Sequence, residues 1–277
     1  MLLKYKKDMP IFIVLVVITI LTLTPFIWAI MNSFKNNNEI LGSVRLFPND
    51  WLLVNYKKAW VEGGFNKFFL NSLIITIGTT FIKLLIVAPS GYAFAKLKIK
   101  DYPFVFYFVL LGMAVPIESV VIALFYQLKS YNMLDSLWGV TLPLIGFGVP
   151  FGIFMMRNFF REVPDSIVES AEIDGANLLT IFTKIMLPLA KPGLMVVAIL
   201  TFLEAWNEYM LSILVLVSDS NKTIPLGIVK FFGTKYYDSD YGAVFASVVI
   251  SFIPSILVYI LLQRTFIQGI TGGAVKE

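Results

Sequence analysis

Asp165, Glu169 and Glu172 recur at helical spacing and are followed by Gly175, and Lys83, Glu118, Glu204 and Glu208 sit within or beside long apolar runs. At 100° per residue the first three acids share one stripe, while Ile167, Val168 and Ala171 form a second, apolar face. Such a stripe offers carboxylates either to solvent or to a partner. An ionisable group inside an apolar run is costly in lipid and marks function by default. Trp206, Asn207 and Glu208 combine an aromatic face with hydrogen-bonding groups, which suits stacking on and hydrogen bonding to a polar ligand. The same residue types also hydrogen-bond helix to helix in membranes.

Other chemistries are excluded by what the chain lacks. It has no Cys and no His, which removes disulfides, thiolate metal sites, Cys nucleophiles and the usual general base. No catalytic constellation and no metal-ligand set is visible, and the phosphate-binding pattern G-x-x-x-x-G-K-[ST] is absent. We therefore expect no enzyme, no metal and no cofactor bound by this chain.

The elements that position these residues are membrane helices. Of 277 residues, 58% are hydrophobic and 14% charged, and the mean hydropathy is +0.81. Soluble domains carry about 25% charged residues, so lipid must be the solvent for much of this chain. Six stretches suit spanning helices: Pro10 to Met31, about Phe69 to Ala95, Pro103 to Leu128, Leu134 to Met156, Leu194 to Val217 and Gly242 to Leu262. The first follows Lys4, Lys6 and Lys7 as a signal peptide would, but it is too long and lacks a cleavage site, so it reads as an uncleaved helix.

Six spans place both termini on one side. The clusters Lys4–Lys7 and Lys96–Lys100 flank helix ends on that side, and the positive-inside rule makes it cytoplasmic. The expected architecture is an all-α membrane protein with six transmembrane helices, N-in and C-in. Two long loops, Asn32 to Phe68 and Ser218 to Tyr241, then face outward, and Arg157 to Gly193 faces inward. Pro89, Pro116, Pro143, Pro150 and Pro254 fall in the spans. They read either as ordinary membrane-helix usage or as broken helices around a translocation path. Glu118, after Pro116, suits the start of a re-formed helix.

The inner loop is the most structured. Pro164 fits the first helical position, Asp165 and Ser166 the first turn, and Gly175 a left-handed helix end. This predicts a helix of about ten residues, which is marginal alone and needs something to pack on. Asn177 is a candidate cap for a second helix carrying Leu178, Phe182, Ile185 and Leu189, and Pro188 and Pro192 bend the chain towards the fifth span. So ordered a loop suggests a docking surface.

The run E-S-A-x-x-D-G-A, followed by F-x-x-I-x-L-P-L-x-x-P, resembles the EAA loop of ATP-binding-cassette importer permeases. Glu169, Ala171, Asp174, Gly175, Ala176, Phe182, Ile185, Pro188 and Pro192 match, and Ser170 stands where the family has Ala. Trp51, Asn55, Tyr56 and Trp60 are similar to the W…NY…W pattern of sugar-type permeases. So are Asn71-Ser72-Leu73, the series Phe202, Trp206, Asn207, Glu208, and the tail Gln263 to Lys276. Together they resemble the maltose-G-like permease of a carbohydrate importer.

That resemblance implies a type I importer bundle as a single domain over 1–277. Its parts are a first helix and outer loop (1–67), a core bundle (68–264), a coupling loop (157–193) and a cytoplasmic tail (265–277). It implies a multi-pass protein of the bacterial plasma (inner) membrane. Glu169, Ser170, Ala171, Asp174, Gly175 and Ala176 would contact an ATPase, and Gly269, Gly272 and Gly273 would let the tail reach the same interface. Trp206, Asn207, Glu208 and Glu118 are candidates for the substrate path. The implied partners are a second homologous permease, two ATP-binding-cassette ATPase subunits carrying ATP and Mg, an extracellular or periplasmic sugar-binding protein, and lipid, with no nucleic acid. A polyol or glycerol-phosphate cargo fits as well, and a secondary transporter or channel is the rival class.

Overall fold

The computed structural model describes residues 2–232 and 239–272, with side chains placed from 9 to 232 and from 239 to 263. Among these residues every regular element is a helix. Helix α1 (Leu2–Asn32) is apolar around its whole circumference from Met9 onward, and its membrane-length window buries no residue within the chain. That is the pattern of a helix solvated by lipid. Short helices α2 (Asn37–Gly42) and α3 (Val54–Lys57) follow, the latter extended by a π turn over Lys58–Glu62. Helix α4 (Phe65–Lys96) has 32 residues. Helix α5 (Pro103–Leu111) starts on Pro103 and closes with a 3-10 turn, and α6 is Ile117–Ser130.

Helix α7 (Leu137–Glu162) leads to α8 (Asp165–Ile173). A single turn, α9 (Leu178–Thr180), passes through a π turn at Ile181–Met186 into α10 (Leu187–Leu189). Then come α11 (Lys191–Trp206), α12 (Met210–Val215), α13 (Ile224–Val229) and α14 (Tyr241–Gly272). Among the described residues four segments are long and apolar enough to cross a membrane: Met9–Asn32, Phe65–Lys96, Leu137–Glu162 and Tyr241–Gln263. Two bent pairs, α5–α6 with a bend of 88° and the α9–α11 segment with a bend of 73°, raise the number to six if each is one span.

Several sequence expectations are corrected. The third span is not continuous, because the chain breaks at Val115–Pro116 and α6 restarts with Pro116 as its cap and Glu118 in its first turn. The fifth span stops at Trp206 and resumes at Met210. The fourth continues six residues past Met156, since Phe160 is fully buried and holds the extra turns against the bundle. Pro89, Pro143, Pro150 and Pro254 lie inside unbroken helices, so only Pro116 marks a break among the five. The C-terminal helix runs through Gly269 to Gly272, whereas Gly273 and the last four residues lie outside the described residues.

The chain divides into two compact units, Met1–Asn66 with Gly227–Ile253, and Lys67–Leu226 with Pro254–Glu277. In the first, α1 packs edge-to-face on the start of α14 through Phe26–Phe252 and Trp28–Phe245. The outer-loop motif residues are internal fasteners. Asn55 Nδ2 donates to the carbonyls of Ser33 and Lys35, both at 2.9 Å, Tyr56 shares a 2.8 Å hydrogen bond with Ser33, and Trp51 packs on Phe34. In the second unit, small residues let α4 and α7 approach closely. A Cβ on Gly152 would stand 2.6 Å from Val87, and one on Gly91 2.5 Å from Met156. Asn71 Nδ2 donates to the carbonyls of Ser220 and Lys222, and Ser72 Oγ accepts from the Ile224 amide, tying the later outer loop to α4.

Candidate functional site

Helix α8 is closed at both ends. Pro164 occupies the cap position, one residue earlier than its composition suggested, and Asp165 opens the helix. The Asp165 carboxylate pairs with the Lys96 ammonium at the end of α4, and the same ammonium donates to the Val163 carbonyl at 2.5 Å. Hydrogen bonding to Lys96, reinforced by its charge, holds the Asp165 carboxyl below the usual aspartate value. At the other end Gly175 has φ +80°. Its amide donates to Glu172 O, and the Ala176 amide donates to Ala171 O, each at 3.0 Å. This pair of bonds, reaching back three and five residues, is a Schellman closure. Asn177 then caps the next turn by accepting from the Thr180 amide at 2.9 Å.

The apolar face of α8 is satisfied inside its own unit. Ala171 is buried, and Val168 and Ala176 pack beside it against the cluster containing Tyr92, Phe160, Phe182 and Met186. Ile167, expected on that face, is exposed instead. The opposite side offers Glu169, Ser170, Glu172, Asp174 and Gly175 to the outside. It also presents Ile173, 86% exposed, and Leu178 and Leu179. Pattern reasoning missed these apolar groups as surface groups, because Ile173 and Leu179 sit where the chain turns and periodicity fails. A Cβ on Gly175 would meet nothing within 4 Å, so its φ, not crowding inside this chain, requires glycine.

A second feature lies where two helices break. Ile117, Glu118 and Val121 of α6, Leu144 of α7, and Glu204, Asn207, Glu208, Tyr209, Met210 and Leu211 line a depression of about 350 Å³. Three of the four candidate path residues meet there. Glu118 is exposed at the start of α6. Asn207 ends α11 and donates to Leu203 O at 2.8 Å. The Glu208 carboxylate caps α12, accepting from the amides of Leu211 (2.6 Å) and Ser212 (2.9 Å) and from the Ser212 hydroxyl (2.6 Å). Trp206 is placed elsewhere. It is 2% exposed, stacked on Phe202 at 5.8 Å and met edge-on by Phe69. Its ring is packing and is not offered to the depression.

The depression also gives Lys83 its partner. The Lys83 ammonium donates to Glu204 Oε2 at 3.3 Å, a pairing of two residues 121 positions apart that no local spacing announces. Tyr209 was likewise not singled out by the sequence, since it follows the W-N-E series as an ordinary aromatic.

Residues 87–272 match the family described as the binding-protein-dependent transport system inner membrane component. The chain is 32% identical over 262 residues to the diacetylchitobiose uptake system permease protein NgcG of Streptomyces coelicolor, covering 95% of this chain and 87% of that protein. It is 32% identical over 269 residues to the multiple sugar-binding transport system permease protein MsmG of Streptococcus mutans, covering 96% of each. Its fold is similar to a chain of a bacterial ABC transporter involved in the import of the acidic polysaccharide alginate, with a TM-score of 0.81, 24% identity, and coverage of 94% and 98%. The all-α membrane fold and the importer-permease resemblance expected from the sequence both hold. This chain belongs to the inner-membrane components of binding-protein-dependent transport systems.

Proposed function

We propose that the chain is a permease subunit of an ATP-driven importer for a sugar or oligosaccharide. It works by alternating access beside a second permease, two ATPase subunits and an external sugar-binding protein. The observation that carries the coupling role is α8. It is a short helix stapled to the bundle by Val168, Ala171 and the Lys96–Asp165 pair, while acids and exposed Ile173, Leu178 and Leu179 face outward. A rigid element anchored on one face and unsatisfied on the other suits a lever seated in a partner on the cytoplasmic side, with Glu169 to Ala176 at the contact. A motion of that lever shifts the bundle only through contacts that differ between its two states. The sugars named for NgcG and MsmG support the cargo class. The depression, with Glu118, Asn207 and Glu208, is our assignment for part of the path.

Reconstitution tests this directly. In proteoliposomes the complete complex, supplied with binding protein and ATP, takes up labelled diacetylchitobiose, maltotriose or another sugar of a screened panel, and this chain alone transports none. Uptake by the isolated chain without ATP overturns the reading in favour of a secondary transporter or channel.

A further inference from the structure

We propose that Lys83 is a positioning residue for transport. It holds the Glu204 carboxylate at the wall of the depression as an acceptor for a hydroxyl of an uncharged sugar. The proposal rests on the reading that the depression belongs to the sugar path.

The ion pair is lopsided. The Lys83 side chain is 2% exposed, whereas that of Glu204 is 51% exposed. Only Oε2 of Glu204 is engaged, and Oε1 has no partner among the described residues. An ion pair with one end exposed contributes little to stability, so joining two helices does not account for it. Here the cation is withheld from solvent and the anion faces the depression.

The route to Glu204 is built for a lysine. A Cβ on Gly148 of α7 would stand 2.1 Å from Lys83 Nζ, 2.6 Å from Cε and 3.3 Å from Cδ, so the stem crosses α7 where that helix has no side chain. Among the described residues the hydrogen-bond partner of the ammonium is Glu204 Oε2, at 3.3 Å.

Charge then sets the class of cargo. The ionisable groups with carboxylates on the depression are Glu118, Glu204 and Glu208. Glu208 spends its oxygens on α12, and Lys83 is consumed by Glu204. The wall is left net negative with open acceptors. Hydroxyls of a neutral sugar donate to it, whereas uronates and sugar phosphates meet like charge in a medium that screens poorly.

Uptake kinetics of the complete importer in proteoliposomes test this, with maltotriose and diacetylchitobiose as neutral probes and trigalacturonate as the anionic one. The wild type takes up a neutral probe and not trigalacturonate. Lys83→Met raises KM for that probe about tenfold, as expected for one lost hydrogen bond to a charged group, with kcat changed less than about twofold. Glu204→Gln alone strands a buried cation and threatens assembly. The double variant Lys83→Met/Glu204→Gln carries neither charge, assembles, and shows the same KM as Lys83→Met. Gly148→Ala, which alters no charge but obstructs the stem, raises KM in the same direction. An unchanged KM in the double variant, or uptake of trigalacturonate by the wild type, overturns the proposal while leaving the sugar path standing. A wild type that moves no sugar of the full panel overturns both.

Discussion

At the C-terminal end of α8 the chain closes itself with partners at most five residues away, Ala176 on Ala171 and Asn177 on Thr180. The depression instead draws Lys83, Glu118 and Glu204 from α4, α6 and α11. The first region is a local construction whose shape follows from contiguous residues. The second exists only because three distant helices meet. On our proposal the contrast separates two jobs: the part proposed to move as one piece is built from short-range bonds, and the part proposed to open and close is built between pieces.

The sharpest way to break this comparison is at Gly175. Gly175→Val puts a β-branched residue at φ +80°, a strain of about 1–2 kcal/mol or more. If the local closure makes α8 a single lever, uptake by the reconstituted importer falls at least about tenfold while ATP hydrolysis continues. Gly175→Asn, whose side chain tolerates that conformation, loses much less. Normal coupling in the valine variant removes the distinction between the two regions.

A smaller effect is expected on the other side of the comparison. Glu208 also works locally within the depression, as the cap of α12. Glu208→Ala should cost about 1–2 kcal/mol, read as a fall of about 2–8 °C in the thermal midpoint of the purified protein in detergent. A midpoint that does not move means that the cap adds nothing and that Glu208 is free for the path.

The smallest effect concerns the staple at Asp165. Its carboxyl titrates below its ordinary value because Lys96 favours the charged form. The stability it contributes is therefore present above the unfolded-state value and lost as the pH falls through the folded one. Thermal midpoints of the wild type and of Asp165→Asn, measured against pH, should differ at neutral pH and converge in acid. Parallel curves would remove Lys96–Asp165 from the lever's anchorage.

The same contrast explains what was legible in the sequence. Gly175 and Asn177 were readable because turn and cap chemistry depends on neighbours in the chain. The span positions were readable because each apolar run reports its own solvent. The break at Asn207–Tyr209 was not, since no Pro or Gly marks it and the helix stops because Glu208 is used by the following helix. Pro116 broke its span and Pro143 and Pro150 did not, a difference set by surroundings that a proline does not carry with it. Trp206 looked like a stacking platform by type, but Phe202 stacks on it and Phe69 meets it edge-on, and these contacts are tertiary or set by helix phase.

The separation of Lys83 from Glu204 also has a consequence for biosynthesis. Translation proceeds at roughly 5–20 residues per second, so the 121 positions between them take roughly 6–24 s to synthesise. During that interval α4 is complete and its ammonium has no counter-ion. A lysine at the centre of an inserting helix costs about 2.5–3.5 kcal/mol, a cost that the Glu204 carboxylate offsets only once α11 exists. The Lys83–Glu204 pair is thus a late contact, formed only after the helix that carries Glu204 has been made.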